Sequence, residues 1–243
     1  YCSRNPEFDL IIKKNQKEKG IIFNKYDLCN TAKTDQIIKD YNDYGLKCFA
    51  VSSQKHDDMR KMLAFFKENY RHKYKQVGLW LMACGTPNVG KSSIINQLRS
   101  ISDLENKNAT AKATASVCTT KGLGGFKILN NPLMFLMDTP GVMIPSVIPK
   151  ELGMKMAVLG LIKDQIVDKE TIINYIIEQC EADQNDKYWK NLRIERPLNA
   201  TEFLDSIRSK HKLYDYDAAY DRIINNFREG KLGNITLDDP IPV

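Results

Sequence analysis

The 243-residue chain lacks any apolar run near the roughly 20 residues that a membrane-crossing helix requires. Its longest apolar stretches, residues 77–84 and 132–137, are of strand length. Histidine is scarce, with only His56, His72 and His211, and none stands at ligand spacing from a cysteine. The six cysteines, Cys2, Cys29, Cys48, Cys84, Cys118 and Cys180, are scattered without a Cys-x-x-Cys pair. That pattern argues against a zinc centre and for free thiols in a reduced compartment. With 42% hydrophobic and 27% charged residues, the composition excludes disordered and fibrous classes and suits one sizeable core with a smaller appended domain. Acid is in the minority, and the net charge of +6 favours an anionic partner such as RNA, although a solvated basic surface accounts for it as well. The chain opens at Tyr1 rather than a methionine, so any targeting leader would lie upstream.

Against that plain background, Gly85-Thr86-Pro87-Asn88-Val89-Gly90-Lys91-Ser92 matches G-x-x-x-x-G-K-[ST] at every position. Residues 77–84 before it read as a buried strand, and residues 93–100 after it as an opening helix. Gly85 and Gly90 let the backbone wrap a phosphate chain whose charge the loop amides and the helix N-terminus satisfy. Val89, Gly90 and Ser93 contribute to that cradle. Lys91 is expected on the β- and γ-phosphates and Ser92 on Mg²⁺.

A second apolar run, residues 133–137, ends in Asp138-Thr139-Pro140-Gly141. A carboxylate at a strand end beside a phosphate loop can hold Mg²⁺ through water, and the Gly141 amide can sense a γ-phosphate. Upstream, the short apolar run 20–23 leads into Asn24-Lys25-Tyr26-Asp27, of the form N-K-x-D. The Asp27 carboxylate can accept from both N1 and N2 of guanine, whereas adenine offers no such donor pair, so the tetrad selects GTP or GDP over adenine nucleotides. Asn24 braces the loops and approaches N7, and the Lys25 stem lies along the base. Residues 47–51 run into Ser52-Ser53, where a backbone amide can reach guanine O6. Every one of these loops follows a strand, and in an open parallel sheet such loops meet at the strands' carboxyl ends. The order is nonetheless rotated, because the base reader precedes the phosphate loop.

This motif order, together with Ser3-Arg4-Asn5-Pro6, residues 131–142 and the tail segments Asp215-Tyr216-Asp217-Ala218-Ala219, Phe227-Arg228-Glu229-Gly230 and Leu232-Gly233, resembles the circularly permuted GTPases of the YlqF/RbgA ribosome-assembly type, in particular the mitochondrial branch. The resemblance implies an α/β P-loop NTPase domain with a mostly parallel sheet at residues 1–145, joined to a small all-helical RNA- or ribosome-binding domain at 146–243. It implies a monomeric GTPase of the mitochondrial matrix that acts on the large ribosomal subunit, its rRNA and proteins, with peripheral association at the inner membrane. A plastid or bacterial-type member is compatible with the same motifs. The family strand ending in Asp-Ala-Arg is expected just before Ser3, so the GTPase domain is expected to be N-terminally incomplete. Where relatives carry Pro-Gly before the switch I threonine, this chain has Val117-Cys118-Thr119-Thr120-Lys121. Thr120 best matches the threonine that closes over Mg²⁺ and the γ-phosphate, with Thr119 as the alternative.

Val142, Met143 and Ile144 stand where Ras-like enzymes place a water-orienting glutamine, and none can hydrogen-bond a water. Hydrolysis is thus expected to be slow until a ribosomal particle completes the site. Asn88 either helps hold K⁺, which supplies compensating charge, or caps the turn. Lys91, Thr120 and Gly141 are the expected catalytic set, with Ser92, Thr120 and Asp138 around the metal. Beyond Gly141, residues 151–162, 168–180, 200–210 and 217–229 carry apolar residues at helical spacing, after a linker marked by Pro145 and Pro149. Arg193, Arg196, Arg208, Lys210, Lys212, Arg222, Arg228 and Lys231 make this region basic, with Arg222 and Arg228 as candidates for an RNA face. A non-hydrolysing GTP-bound scaffold and a switch acting on a protein partner are the competing readings.

Overall fold

The computed structural model describes residues 6–69, 78–107, 125–130, 132–142, 149–163, 166–183 and 185–238. The described residues gather into two compact units, one running through residue 26 and again from Leu46 to residue 142, the other formed by Asp27–Gly45 and the described residues from 149 onward.

The first unit is α/β. Helix α1 (Pro6–Lys14) leads to strand β1 (Gly20–Phe23), which pairs in parallel with β2 (Lys47–Ala50), Gly20 lying opposite Lys47 and Phe23 opposite Ala50. Three further strands, β3 (Leu79–Ala83), β4 (Gly125–Leu129) and β5 (Met134–Asp138), form a second sheet in the order β3-β5-β4. β3 runs parallel to β5 and places Ala83 opposite Asp138, while β4 is antiparallel to β5. One mostly parallel sheet is therefore not what the described residues form: they form two small sheets, with no ladder between β1 and β3. Two further helices, numbered after α2 (Thr31–Asp43) of the other unit, are α3 (His56–Asn69) and α4 (Lys91–Lys107). They bury Met59, Met62, Leu63, Ile95, Leu98 and Ile101 against Ile128, Met134 and Leu136.

A continuous apolar run suggested that β3 would be buried on both faces. Instead it alternates: Leu79, Leu81 and Ala83 pack on the core, while Trp80 and Met82 are exposed and Trp80 stacks on Phe135 with ring centres 4.5 Å apart.

The second unit is helical. It contains α2 together with α5 (Lys150–Val158), α6 (Lys169–Ala182), α7 (Lys187–Lys190), α8 (Ala200–His211) and α9 (Tyr216–Arg228). Side-chain caps set several of its helix starts: Asp168 accepts from Thr171 N, Asn199 from Glu202 N and Asp215 from Ala218 N. Each such cap satisfies an amide that the helix leaves orphaned, a contribution of about 1 kcal/mol. Ile172, Ile173, Ile176, Phe203, Ile207, Ile223 and Ile224 fill the core, in line with reading residues 172–177 as packing.

Helix α2 belongs here through its polar edge. Asn30 N donates to Thr236 Oγ1 at 3.1 Å, Thr34 Oγ1 and Thr236 Oγ1 share a 2.9 Å hydrogen bond, and Asn234 Nδ2 donates to Asp27 O at 3.0 Å. A single cut near residue 145 thus does not reproduce the two units, because residues 27–45 group with the C-terminal segment.

Candidate functional site

Strand β3 ends at Ala83, residues 84–90 turn, and Lys91 opens α4, so the glycine-rich segment lies between a strand and a helix N-terminus. Two backbone positions explain its shape. Gly90 has φ +92°, and a Cβ there would collide with the Asn24 carboxamide. A Cβ on Gly141 would come within 2.9 Å of the Pro87 backbone. Asn88 adopts the left-handed region at φ +61°, as does Lys25 at φ +60°. Such backbone conformations cost free energy in non-glycine residues and cluster at ligand sites.

Lys91 Nζ folds over the loop, donating to Gly85 O at 3.0 Å and Thr86 O at 2.8 Å. Ser92 Oγ donates to Asp138 Oδ2 at 3.4 Å, bringing the loop and the end of β5 together. Asp138 Oδ1 is buried without a hydrogen-bond partner among the described residues, as is the hydroxyl of Thr86. A hydroxyl beside a carboxylate with an unused oxygen is a hard-oxygen donor set that suits Mg²⁺. Val142 N donates to Gly85 O at 3.1 Å, which holds the segment after Gly141 against the loop. Ser93, on the first turn of α4, is exposed.

Asn24, just beyond β1, joins three segments. Its Nδ2 donates to Val89 O at 3.1 Å and its Oδ1 accepts from Ser53 N at 3.2 Å. Tyr26 N donates to Val51 O at 3.1 Å, tying the tetrad to the end of β2. Asp27 lies in the short 3-10 turn Tyr26–Leu28 that follows.

Ser52 and Ser53 depart from expectation. Both are buried, and their amides are already used, Ser52 N by Asp58 Oδ2 at 2.9 Å and Ser53 N by Asn24 Oδ1. In this conformation neither amide is free for guanine O6. Thr119 and Thr120, the switch I candidates, lie outside the described residues, as do Met143 and Ile144.

Three contributors escaped the sequence reading. Asp58 fixes Ser52, Thr139 Oγ1 donates to Ala83 O at 2.8 Å, and Pro87 sets the closeness of Gly141. Asp58 in the first turn of α3 was the one visible signal, since acidic residues there accept backbone amides readily.

A strand-loop-helix phosphate cradle, with a lysine folded over it and an aspartate-serine pair at its mouth, defines a P-loop nucleotide-binding protein. Residues 8–147 match the RsgA GTPase family, and the chain belongs to that family and is a GTPase that takes guanine nucleotide. Ribosome biogenesis GTPase A of Priestia megaterium is 27% identical over 254 residues, covering 98% of this chain and 84% of the relative. Mitochondrial ribosome-associated GTPase 1 of Bos taurus is 28% identical over 259 residues, covering 97% and 77%. Among solved structures, GDP-bound YlqF superposes with a TM-score of 0.61 at 19% identity, over 92% of this chain and 84% of that one, a likeness of fold. The mitochondrial names of the bovine and mouse relatives support a mitochondrial location for this chain.

Proposed function

We propose that this GTPase is an assembly factor of the mitochondrial large ribosomal subunit, bound to the maturing particle with GTP and released or reoriented on hydrolysis. The observation that carries the reading is Asn24, whose one carboxamide donates to Val89 O in the glycine-rich loop and accepts from Ser53 N after β2, which supports a single nucleotide site built from these segments. The assembly role is supported by the ribosomal names of the bacterial and mitochondrial relatives.

In this site Asp27 reads guanine, Lys25 flanks the base, and the amides of residues 88–93 cradle the phosphates. Lys91 leaves the two carbonyls it now caps and moves onto the β- and γ-phosphates. Ser92 and Asp138, with Thr120 from switch I, would hold Mg²⁺, which would supply charge neutralisation on the phosphates. Asn88, strained at the rim, contributes to a K⁺ site, and the Gly141 amide senses the γ-phosphate. Val142 is exposed and cannot orient a water, so turnover waits for groups from the particle. The helices of residues 146–243 form the particle-binding domain, and the motif rotation makes the γ-phosphate sensor lead directly into them along the chain.

Single-turnover GTP hydrolysis, in Na⁺ or K⁺ buffer and with or without purified mitochondrial large subunits, tests the proposal. Slow turnover that both K⁺ and particles accelerate is expected. Fast turnover in Na⁺ without particles, or no acceleration by them, would overturn it.

A further inference from the structure

At the corner between α8 and α9, Tyr214 is 98% exposed, an unusual position for a large aromatic ring on a folded surface. Cations from three elements lie near the end of α8, which leads into this corner. Lys212 ends α8 in the left-handed conformation, φ +51°, two residues before the tyrosine. Lys210 Nζ donates to the carbonyls of Leu192 and Arg193, and so pins the turn after α7, with its exposed Arg193, beside the end of α8. Arg222, exposed on α9, acts together with Lys210 on His211: burial first, then these two positive charges, hold the imidazole below its ordinary pKa. Arg208 lies over the Tyr216 ring at 4.7 Å, adding a second aromatic to the corner.

The acidic neighbours are turned toward other partners. Asp205 accepts from Tyr216 OH at 2.9 Å, Asp215 caps Ala218 N at 2.8 Å, and Asp217 and Asp221 both pair with Lys169. An exposed aromatic face framed by cations is the chemistry that binds unpaired nucleic acid, by base stacking together with phosphate contacts. A duplex buries its base faces and offers none to Tyr214.

We propose that the α8–α9 corner is a binding site for single-stranded RNA, with a base stacked on Tyr214 and flanking phosphates held by Lys212, Arg193 and Arg222. This deepens the assembly-factor reading and rests on it for the biological source of the RNA. The site itself stands on its own geometry.

The test uses the full chain, a labelled 12-nucleotide oligouridylate and a labelled 12-base-pair RNA duplex, read by fluorescence anisotropy across a salt series. The wild type is expected to prefer the single strand. Tyr214→Ala should weaken it by about fivefold or more, in keeping with a lost stacking contact, while Tyr214→Trp retains it. Lys212→Asn, which tolerates the left-handed backbone, should lower the salt slope by about 0.7 for one lost phosphate contact. Because Tyr214 is exposed, its variants should melt with the wild type, which separates lost binding from lost folding. Equal oligouridylate affinity for wild type and Tyr214→Ala, or duplex binding as tight as single-strand binding, would overturn the site. Co-sedimentation with large subunits keeps the two ideas apart. A wild type that fails to co-sediment yet shows the Tyr214-dependent oligonucleotide binding sinks the assembly reading and supports the corner. A wild type that co-sediments, with Tyr214→Ala unchanged in both assays, does the reverse.

Discussion

The carboxamide of Asn24 donates to the carbonyl of Val89 at 3.1 Å, so a residue at the end of β1 fixes the phosphate loop 65 positions later in the chain. The same side chain accepts from Ser53 N, and no smaller residue can make both bonds. Asn24→Ala should cost about 2 kcal/mol, roughly 1 for each hydrogen bond. For a chain of this size that lowers the melting temperature by about 4–8 °C. Affinity for a fluorescent GTP analogue should fall with it, since both loops lose their tie. A variant that melts and binds like the wild type would remove the bridge from the mechanism.

Asp27 should decide the choice of base. Guanine presents two donors where xanthine presents a carbonyl at position 2, so Asp27→Asn exchanges an acceptor for a donor at that point. Competition binding is expected to show loss of GTP affinity by at least about tenfold, one mispaired polar contact, with xanthosine triphosphate gaining relative to it. Undiminished GTP binding would place base recognition elsewhere.

Arg228 is a structural residue rather than part of an RNA face. Its Nε donates to Val158 O at 3.0 Å and its Nη2 to Ala157 O at 2.8 Å, and the guanidinium rests against Gly160. These bonds tie α9 to two carbonyls at the end of α5, of which Ala157 O also accepts from Gly160 N at 3.0 Å. Arg228→Glu should destabilise the protein by about 2–3 kcal/mol, visible in chemical denaturation. Arg222→Glu, at an exposed position, should leave the denaturation midpoint within about 0.5 kcal/mol of wild type. Matching midpoints for the two variants would contradict this assignment.

Acid should unfasten the C-terminal unit through Glu181. Its carboxylate accepts from Tyr188 OH and pairs with Arg196, and the first of these, then the second, holds its pKa below the ordinary glutamate range. A depressed carboxylate contributes stability that is present above its unfolded pKa and is lost as pH falls through the folded value. The contribution is therefore intact at neutral pH and fades below about pH 4.5. Glu181→Gln should be less stable than wild type at pH 7, with a shallower decline in acid when melting is followed by circular dichroism. Parallel pH profiles for the two proteins would show that the cluster carries no such linkage.

The strand, turn and helix around residues 85–92 were legible because local chemistry dictates them. An apolar run, a glycine-rich turn and a serine-rich helix start leave few other conformations. The helical starts near residues 168, 200 and 217 were legible for the same reason, since Asp168, Asn199 and Asp215 cap amides only three residues away. Less legible was which face of β3 meets the core, because Trp80 and Met82 are as apolar as Leu79 and Leu81 and only packing tells them apart. Arg222 and Arg228 look alike as letters and differ by the carbonyls that Arg228 meets 70 residues away.

The sequence by itself determined the guanine-nucleotide chemistry and the helical character of the C-terminal half, since each rests on residue types at short spacing. Tertiary structure alone decided that the amides of Ser52 and Ser53 are spent on Asp58 and Asn24, that residues 27–45 join the C-terminal unit through Asn234 and Thr236, and that cations from three elements gather at the end of α8 before the exposed Tyr214. Those are contacts between distant positions, and a hydrogen-bond partner or a neighbouring charge has no local signature until the chain has folded.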